Sequence, residues 1–184
     1  MRHLPNIICL LRIALVWPLV ASLRAGDFGT TLWVFALAAV SDGLDGYLAK
    51  RFGWTSRLGR ILDPLADKLL LVSLFLLATW LGLIPQWLAF IAVARDVMIG
   101  SGALAFRVFF GPLHGRPKWI SKLNTLMQLA YLMGVILHQV SAFPPHWLLQ
   151  GLLWLTAATI LASGYAYLSE FTARAALARP AAVR

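Results

Sequence analysis

The sequence predicts an all-α integral membrane protein with six transmembrane helices and both termini in the cytoplasm. Three observations carry that expectation. Of 184 residues, 60% are apolar and 12% charged, a balance outside that of ordinary soluble domains. The apolar residues fall into six runs of about 20, the length that crosses a hydrocarbon core of roughly 30 Å. The cations are also unevenly placed. Between the runs, Lys and Arg sit at the two ends and after the second and fourth runs, whereas the loops after the first, third and fifth hold only Arg24. Basic loops stay cytoplasmic, so the ends and the loop after the second run should face the cytoplasm.

The runs follow in order. Pro5 suits a first helical turn, and Asn6–Leu23 makes the first span, with Arg12 inside it. Arg12 is either a snorkelling cation or one turned to the bundle interior, where charges within spans usually point. A turn at Arg24–Phe28 carries Asp27, read as a solvated loop acid. Thr30–Ala49 is the second span and Leu62–Leu83 the third, with Pro64 placed in its first turn. Trp87–Phe110 is the fourth, holding Arg95 and Asp96 mid-span and Gly100 and Gly102 for close helix approach. Adjacent helical residues point about 100° apart, so Arg95 and Asp96 should not simply face each other, and at least one should meet another helix. Trp119–His138 and His146–Phe171 complete the set, with His138 and His146 read as interfacial. The whole of 1–184 is expected to be a single membrane domain.

Composition excludes other classes. One cysteine, Cys9, rules out an internal disulfide or a cysteine-rich metal site. The net charge of +9 comes without the aromatic-flanked basic face or module that nucleic-acid binding needs. It fits basic cytoplasmic loops and attraction to anionic lipid headgroups. The first run contains Arg12 and lacks a small-residue cleavage site, so no cleavable signal is expected.

One stretch breaks the apolar pattern. Four of the seven carboxylates, Asp42, Asp45, Asp63 and Asp67, lie between positions 42 and 67. Each costs roughly 2.5–3.5 kcal/mol at the centre of a spanning helix unless a partner offsets it. Asp42 and Asp45, with Gly46 and Ala49, share one face of the second helix, and Asp63 and Asp67 share a face of the third. The basic stretch from Lys50 to Arg60 reads as the turn between them. Carboxylate oxygens in this number suit hard cations such as Mg²⁺ or Mn²⁺. Four carboxylates balance two divalent ions, the arrangement of a two-metal phosphoryl-transfer site.

The same residues resemble the signature of the CDP-alcohol phosphotransferase family, D-x2-D-G-x2-A-R-x8-G-x3-D-x3-D. Asp42, Asp45, Gly46, Ala49, Gly59, Asp63 and Asp67 match at the required gaps; Lys50 stands where Arg is usual. Lys keeps the charge but loses the bidentate fork. Pro5, Asn6 and Arg12 also resemble the start of many members. The resemblance implies metal-dependent transfer of a phosphatidyl group from CDP-diacylglycerol to an alcohol, with release of CMP. It implies Asp42, Asp45 and Asp63 as ligands of two divalent cations (Mg²⁺ or Mn²⁺) and Asp67 as ligand or general base. Gly46, Ala49, Lys50 and Gly59 would bind the nucleotide and its phosphates, and a homodimer is implied.

The acceptor expectation rests on fewer residues. Arg95-Asp96-Val97-Met98 and Ser121-Lys122-Leu123-Asn124-Thr125 resemble the CMP-forming cardiolipin synthases of this family. Phosphatidylglycerophosphate synthases tend to show Arg-Glu and Gly-Lys-x-Lys-Thr there. Asn124 in place of a lysine removes a cation, which suits monoanionic phosphatidylglycerol better than glycerol 3-phosphate. Asn6, Arg12, Arg95, Lys122 and Asn124 are the candidate acceptor or headgroup residues, with phosphatidylglycerol preferred and glycerol 3-phosphate the alternative. A cation transporter is the distant rival, because intramembrane carboxylates also mark ion paths. No internal repeat supports it, and the second and third spans are apolar beyond the motif.

Overall fold

The computed structural model describes residues 4–52, 59–110 and 119–178, with side chains described for 11, 13–41, 68–108 and 119–174. Among these the ordered elements are six helices: α1 (Leu4–Arg24), α2 (Phe28–Phe52), α3 (Gly59–Trp80), α4 (Gln86–Phe110), α5 (Trp119–Ser141) and α6 (His146–Ala178). Each apolar run is thus helical. Among the described residues three helices are long and apolar enough to cross a membrane: Gln86–Val108, Trp119–Ser141 and His146–Arg174. The described apolar stretches of the others, Ile13–Arg24, Phe28–Ser41 and Lys68–Trp80, are shorter.

The surface is apolar where a soluble protein's would be polar. Trp17, Trp33, Phe90, Trp119 and Trp147 are 74–80% exposed. Exposed apolar area on this scale needs a hydrocarbon solvent. Trp80, Trp87, Trp119 and Trp147 stand at or beside helix ends, where indole rings favour the lipid–water boundary. The protein is an integral membrane protein.

Helix ends are set by local chemistry. α1 closes with Gly26 at φ 74°; its N–H donates to the Leu23 carbonyl at 3.2 Å and the Asp27 N–H to that of Ser22 at 3.0 Å. α3 closes the same way. Gly82, also at φ 74°, donates to Thr79 at 3.0 Å, and Leu83 donates to Ala78 at 2.9 Å. A left-handed residue is easy only for glycine, so α3 stops at Trp80 rather than running to Leu83. At its other end α3 begins at Gly59, which moves Pro64 from the first turn to the second.

Asp27 opens α2. Its Oδ1 accepts the Thr30 N–H at 3.0 Å, and its carbonyl accepts the Thr31 hydroxyl at 2.7 Å. Far from being only a solvated loop acid, it is an N-cap. These hydrogen bonds from Thr30 hold its carboxyl below the ordinary value of 3.8.

The contacts divide the chain into two compact units. Unit 1 comprises Met1–Pro85 with Leu132–Pro145, and unit 2 comprises Gln86–Tyr131 with His146–Arg184. In unit 1, α1 packs on both α2 and α3. Its core is Leu19 and Leu23 of α1, Phe35 of α2, Leu74 of α3, and Leu132 and Ile136 of α5. In hydrocarbon such helices are held by close van der Waals packing rather than by release of water. Arg24 lies 5.8 Å over the Trp80 ring, joining the ends of α1 and α3. In unit 2, α4 packs on α6. A Cβ on Gly102 would come within 2.6 Å of the Phe171 ring, whereas one on Gly100 would meet nothing within 4 Å. Only Gly102 is needed for that approach. Trp87 and Trp154 stack at 5.7 Å on the same helix pair.

Candidate functional site

The aspartate motif lies on two helices of unit 1. Asp42, Asp45, Gly46, Ala49 and Lys50 fall on α2, which continues to Phe52; Gly59, Asp63 and Asp67 fall on α3. Lys50 is therefore helical, not part of the turn. The spacings of three and four residues keep each aspartate pair on one helix face. α1, which bears Asn6 and Arg12, packs on both motif helices. The side chains of Asn6, Arg12 and residues 42–67 lie outside the described residues. Among the described residues no three His, Cys, Asp or Glu side chains come together as a metal site.

The described polar chemistry is concentrated in unit 2. Arg95 is 8% exposed, in the middle of α4. One arm, Nη1, pairs with Asp96 Oδ1 at 2.9 Å. The other, Nη2, donates to Ser121 Oγ of α5 at 2.8 Å and to Ser163 Oγ of α6. The guanidinium also lies 5.9 Å over the Tyr167 ring. The expectation that Arg95 and Asp96 would not face each other is corrected: the arginine stem is long enough to bend back to its neighbour. The expectation that one of them meets another helix holds, because the same planar group forks to α5 and α6. Removing Asp96 would strand a buried cation, which typically costs about 3–5 kcal/mol.

Asn124 continues the cluster one turn along α5. It is 1% exposed, and its Oδ1 accepts the Thr159 hydroxyl of α6 at 3.3 Å. One turn further, Gln128 is 2% exposed. Beside it the Thr156 hydroxyl lies 2.7 Å from the Leu152 carbonyl and 3.2 Å from the Met127 carbonyl of α5. Arg95 Nε, Asn124 Nδ2 and Gln128 Nε2 are buried and find no hydrogen-bond partner among the described residues. A buried donor left unpaired costs about 1–3 kcal/mol, and these three lie along one seam. Lys122 is exposed and lies on another face of α5.

The structure therefore brings Arg95 and Asn124 together against one face of α6 and leaves Lys122 apart. Gln128, Thr156, Thr159, Ser163 and Tyr167 were missed by sequence reasoning. Their signal was present: polar residues at 121, 124 and 128, and at 156, 159 and 163, recur with helical spacing within apolar spans. His138 Nδ1 is bonded to the Pro144 carbonyl at 2.8 Å, in keeping with a role at a helix end.

The helices define an integral membrane protein that carries an aspartate motif on two helices of unit 1 and a buried cation cluster in unit 2. The family model for CDP-alcohol phosphatidyltransferase matches residues 2–162, and the chain belongs to that family. It is 34% identical over 180 residues to the cardiolipin synthases (CMP-forming) of Rattus norvegicus and Homo sapiens. Each alignment covers 89% of this chain and 60% of the relative. It is 30% identical over 187 residues to the chloroplastic CDP-diacylglycerol–glycerol-3-phosphate 3-phosphatidyltransferase 1 of Oryza sativa subsp. japonica, covering 90% of this chain and 56% of the relative. The chain thus spans about three-fifths of the length of these relatives.

Proposed function

We propose that the chain makes phospholipid by transferring the phosphatidyl group of CDP-diacylglycerol to phosphatidylglycerol, giving cardiolipin and CMP. The observation that carries this reading is the aspartate motif, which matches its family at seven of eight fixed positions and lies within the matched residues 2–162. The rat and human relatives, both cardiolipin synthases (CMP-forming), support the acceptor. So does the chemistry around Asn124: Asp96 already balances Arg95, and the neighbouring amides are neutral. Such a surrounding suits a phosphodiester monoanion better than a dianion. Glycerol 3-phosphate is the second reading, favoured by the rice relative.

The donor set fits two Mg²⁺ or Mn²⁺ ions, because carboxylate oxygens on neighbouring helical turns are what hard divalent cations take. Asp42, Asp45, Asp63 and Asp67 would hold them, supplying charge neutralisation for the diphosphate. The acceptor hydroxyl oxygen forms a bond to the phosphorus that carries diacylglycerol. The bond from that phosphorus to the oxygen of CMP breaks, and CMP leaves with the electron pair. Asp67 takes the hydroxyl proton. Lys50 meets a phosphate, Gly46 and Ala49 leave room for the nucleotide, and Gly59 allows close approach of backbone. Arg95 and Asn124 attend the acceptor and Asn6 and Arg12 a lipid headgroup, whereas Lys122, exposed on another face of α5, is left out. In the same reading residues 1–184 act as one membrane domain of six spans. Both termini and the motif face the cytoplasm, and two copies pair as a homodimer.

The test is an acceptor competition. Purified protein receives CDP-diacylglycerol, Mg²⁺ or Mn²⁺, and either phosphatidylglycerol or glycerol 3-phosphate, and products are read by mass spectrometry. Cardiolipin with CMP is expected. Phosphatidylglycerophosphate instead would overturn the acceptor and keep the chemistry; no product from either acceptor would overturn the transferase.

A further inference from the structure

Arg95 Nε, Asn124 Nδ2 and Gln128 Nε2 share a property beyond being buried and without a partner among the described residues: all three are donors. What they lack among those residues is a group that only accepts. They also lie along a line. Ser121, Asn124 and Gln128 occupy one face of α5 at steps of three and four residues, a rise of about 10 Å. Thr156, Thr159 and Ser163 line the facing side of α6 over a similar rise, with hydroxyls reaching Met127, Asn124 and Arg95. Among the described residues of the seam, charge stands at one end, where Arg95 meets Asp96. The Gln128 end is neutral and lies near the middle of α5, away from its termini.

A compact water-soluble phosphate could use the Arg95 end and would leave both amides unmet. An ester-linked phospholipid offers acceptors along its length, with an anionic phosphodiester followed by uncharged ester carbonyls. We infer that the seam between α5 and α6 seats an anionic phospholipid, its phosphodiester towards Arg95 and its ester carbonyls accepting from Asn124 and Gln128. Gln128 is then a specificity-determining residue that selects a lipid acceptor over a soluble one. Because the amides are 1% and 2% exposed, α5 and α6 must part for the lipid to enter. This deepens the acceptor reading above and rests on it for the link to turnover, but lipid retention can be measured without turnover.

The experiment compares the full chain with Gln128→Met, which keeps length and apolar bulk and removes the donor. Native mass spectrometry from nanodiscs reads retained phosphatidylglycerol against phosphatidylcholine. Kinetics read KM for phosphatidylglycerol and for glycerol 3-phosphate. The expected result is lower retention of phosphatidylglycerol and a KM for it raised about fivefold, the worth of one hydrogen bond, with KM for glycerol 3-phosphate unmoved. Unchanged retention and KM, with an equal or higher melting temperature, would overturn the inference and leave the donors to ordered water. If Gln128→Met does not fold, Gln128→Asn, which withdraws the donor by one methylene, must show the same direction of change. Should the wild type make no cardiolipin yet lose lipid on substitution, the seat stands and the reading of phosphatidylglycerol as acceptor fails. Should it make cardiolipin and Gln128→Met change nothing, the reverse holds.

Discussion

Unit 1 and unit 2 bury different things. Apart from Thr31, the buried residues described in unit 1 are apolar, from Leu19 and Phe35 to Leu74 and Ile136. Unit 2 buries Arg95, Asn124, Gln128, Thr156 and Ser163 among its helices. In a membrane both kinds of core are paid for differently. An apolar core gains only packing over contact with lipid, so it is a scaffold. A buried cation with unpaired donors is costly, and it persists where recognition uses it. The scaffold unit also carries the aspartate motif on α2 and α3.

The strongest way to break the comparison is at the motif. Asp63→Asn is expected to abolish CMP release while the protein still inserts and purifies as the wild type does. Retained turnover would remove the aspartates from the chemistry and leave unit 1 a scaffold alone. Next comes stability. Asp96→Ala should destabilise unit 2 by about 3–5 kcal/mol, because it leaves Arg95 buried and unpaired. Leu74→Ala in unit 1 should cost about 2–5 kcal/mol through a cavity. The two losses are separable by repair. Adding Arg95→Met to the Asp96→Ala variant should recover most of the first loss in a thermal-unfolding assay, because the stranded charge has gone. Failure to recover would mean that unit 2 is held by packing alone.

A smaller effect concerns preference. Asn124→Lys places a cation one turn from Arg95 and should raise the ratio of glycerol 3-phosphate to phosphatidylglycerol consumed. An unchanged ratio would remove charge as the basis of acceptor choice. The smallest effect sharpens the scaffold side. The Asp27 carboxyl is held below 3.8 by Thr30, so its support of the α2 start is present above the unfolded carboxylate value. That support is lost as pH falls through the lower folded value. Hydrogen exchange at Thr30 should rise below pH 4 in the wild type relative to the intrinsic rate, and Asp27→Ala should show that protection already lost at neutral pH.

Much of this was legible in the chain. Six helices follow from six apolar runs, because each run satisfies its backbone internally. The family follows from fixed residues at fixed gaps, from Asp42 to Asp67. The cap signals are legible too: Gly82 stops α3 at Trp80, and Asp27 stands three residues before Thr30. These are local facts, settled within a turn or two of helix.

What only the tertiary structure decided is which polar residues meet. Arg95, Ser121 and Ser163 are 26 and 42 positions apart along the chain (121 − 95 and 163 − 121), and nothing local places them together. Their meeting depends on how α4, α5 and α6 are each rotated about their own axes, which is set by packing such as Gly102 against Phe171. That rotation turns Asn124 and Gln128 inward and Lys122 outward on the same helix. Sequence determined the helices and the family; rotation of the helices determined which side chains became the buried seam.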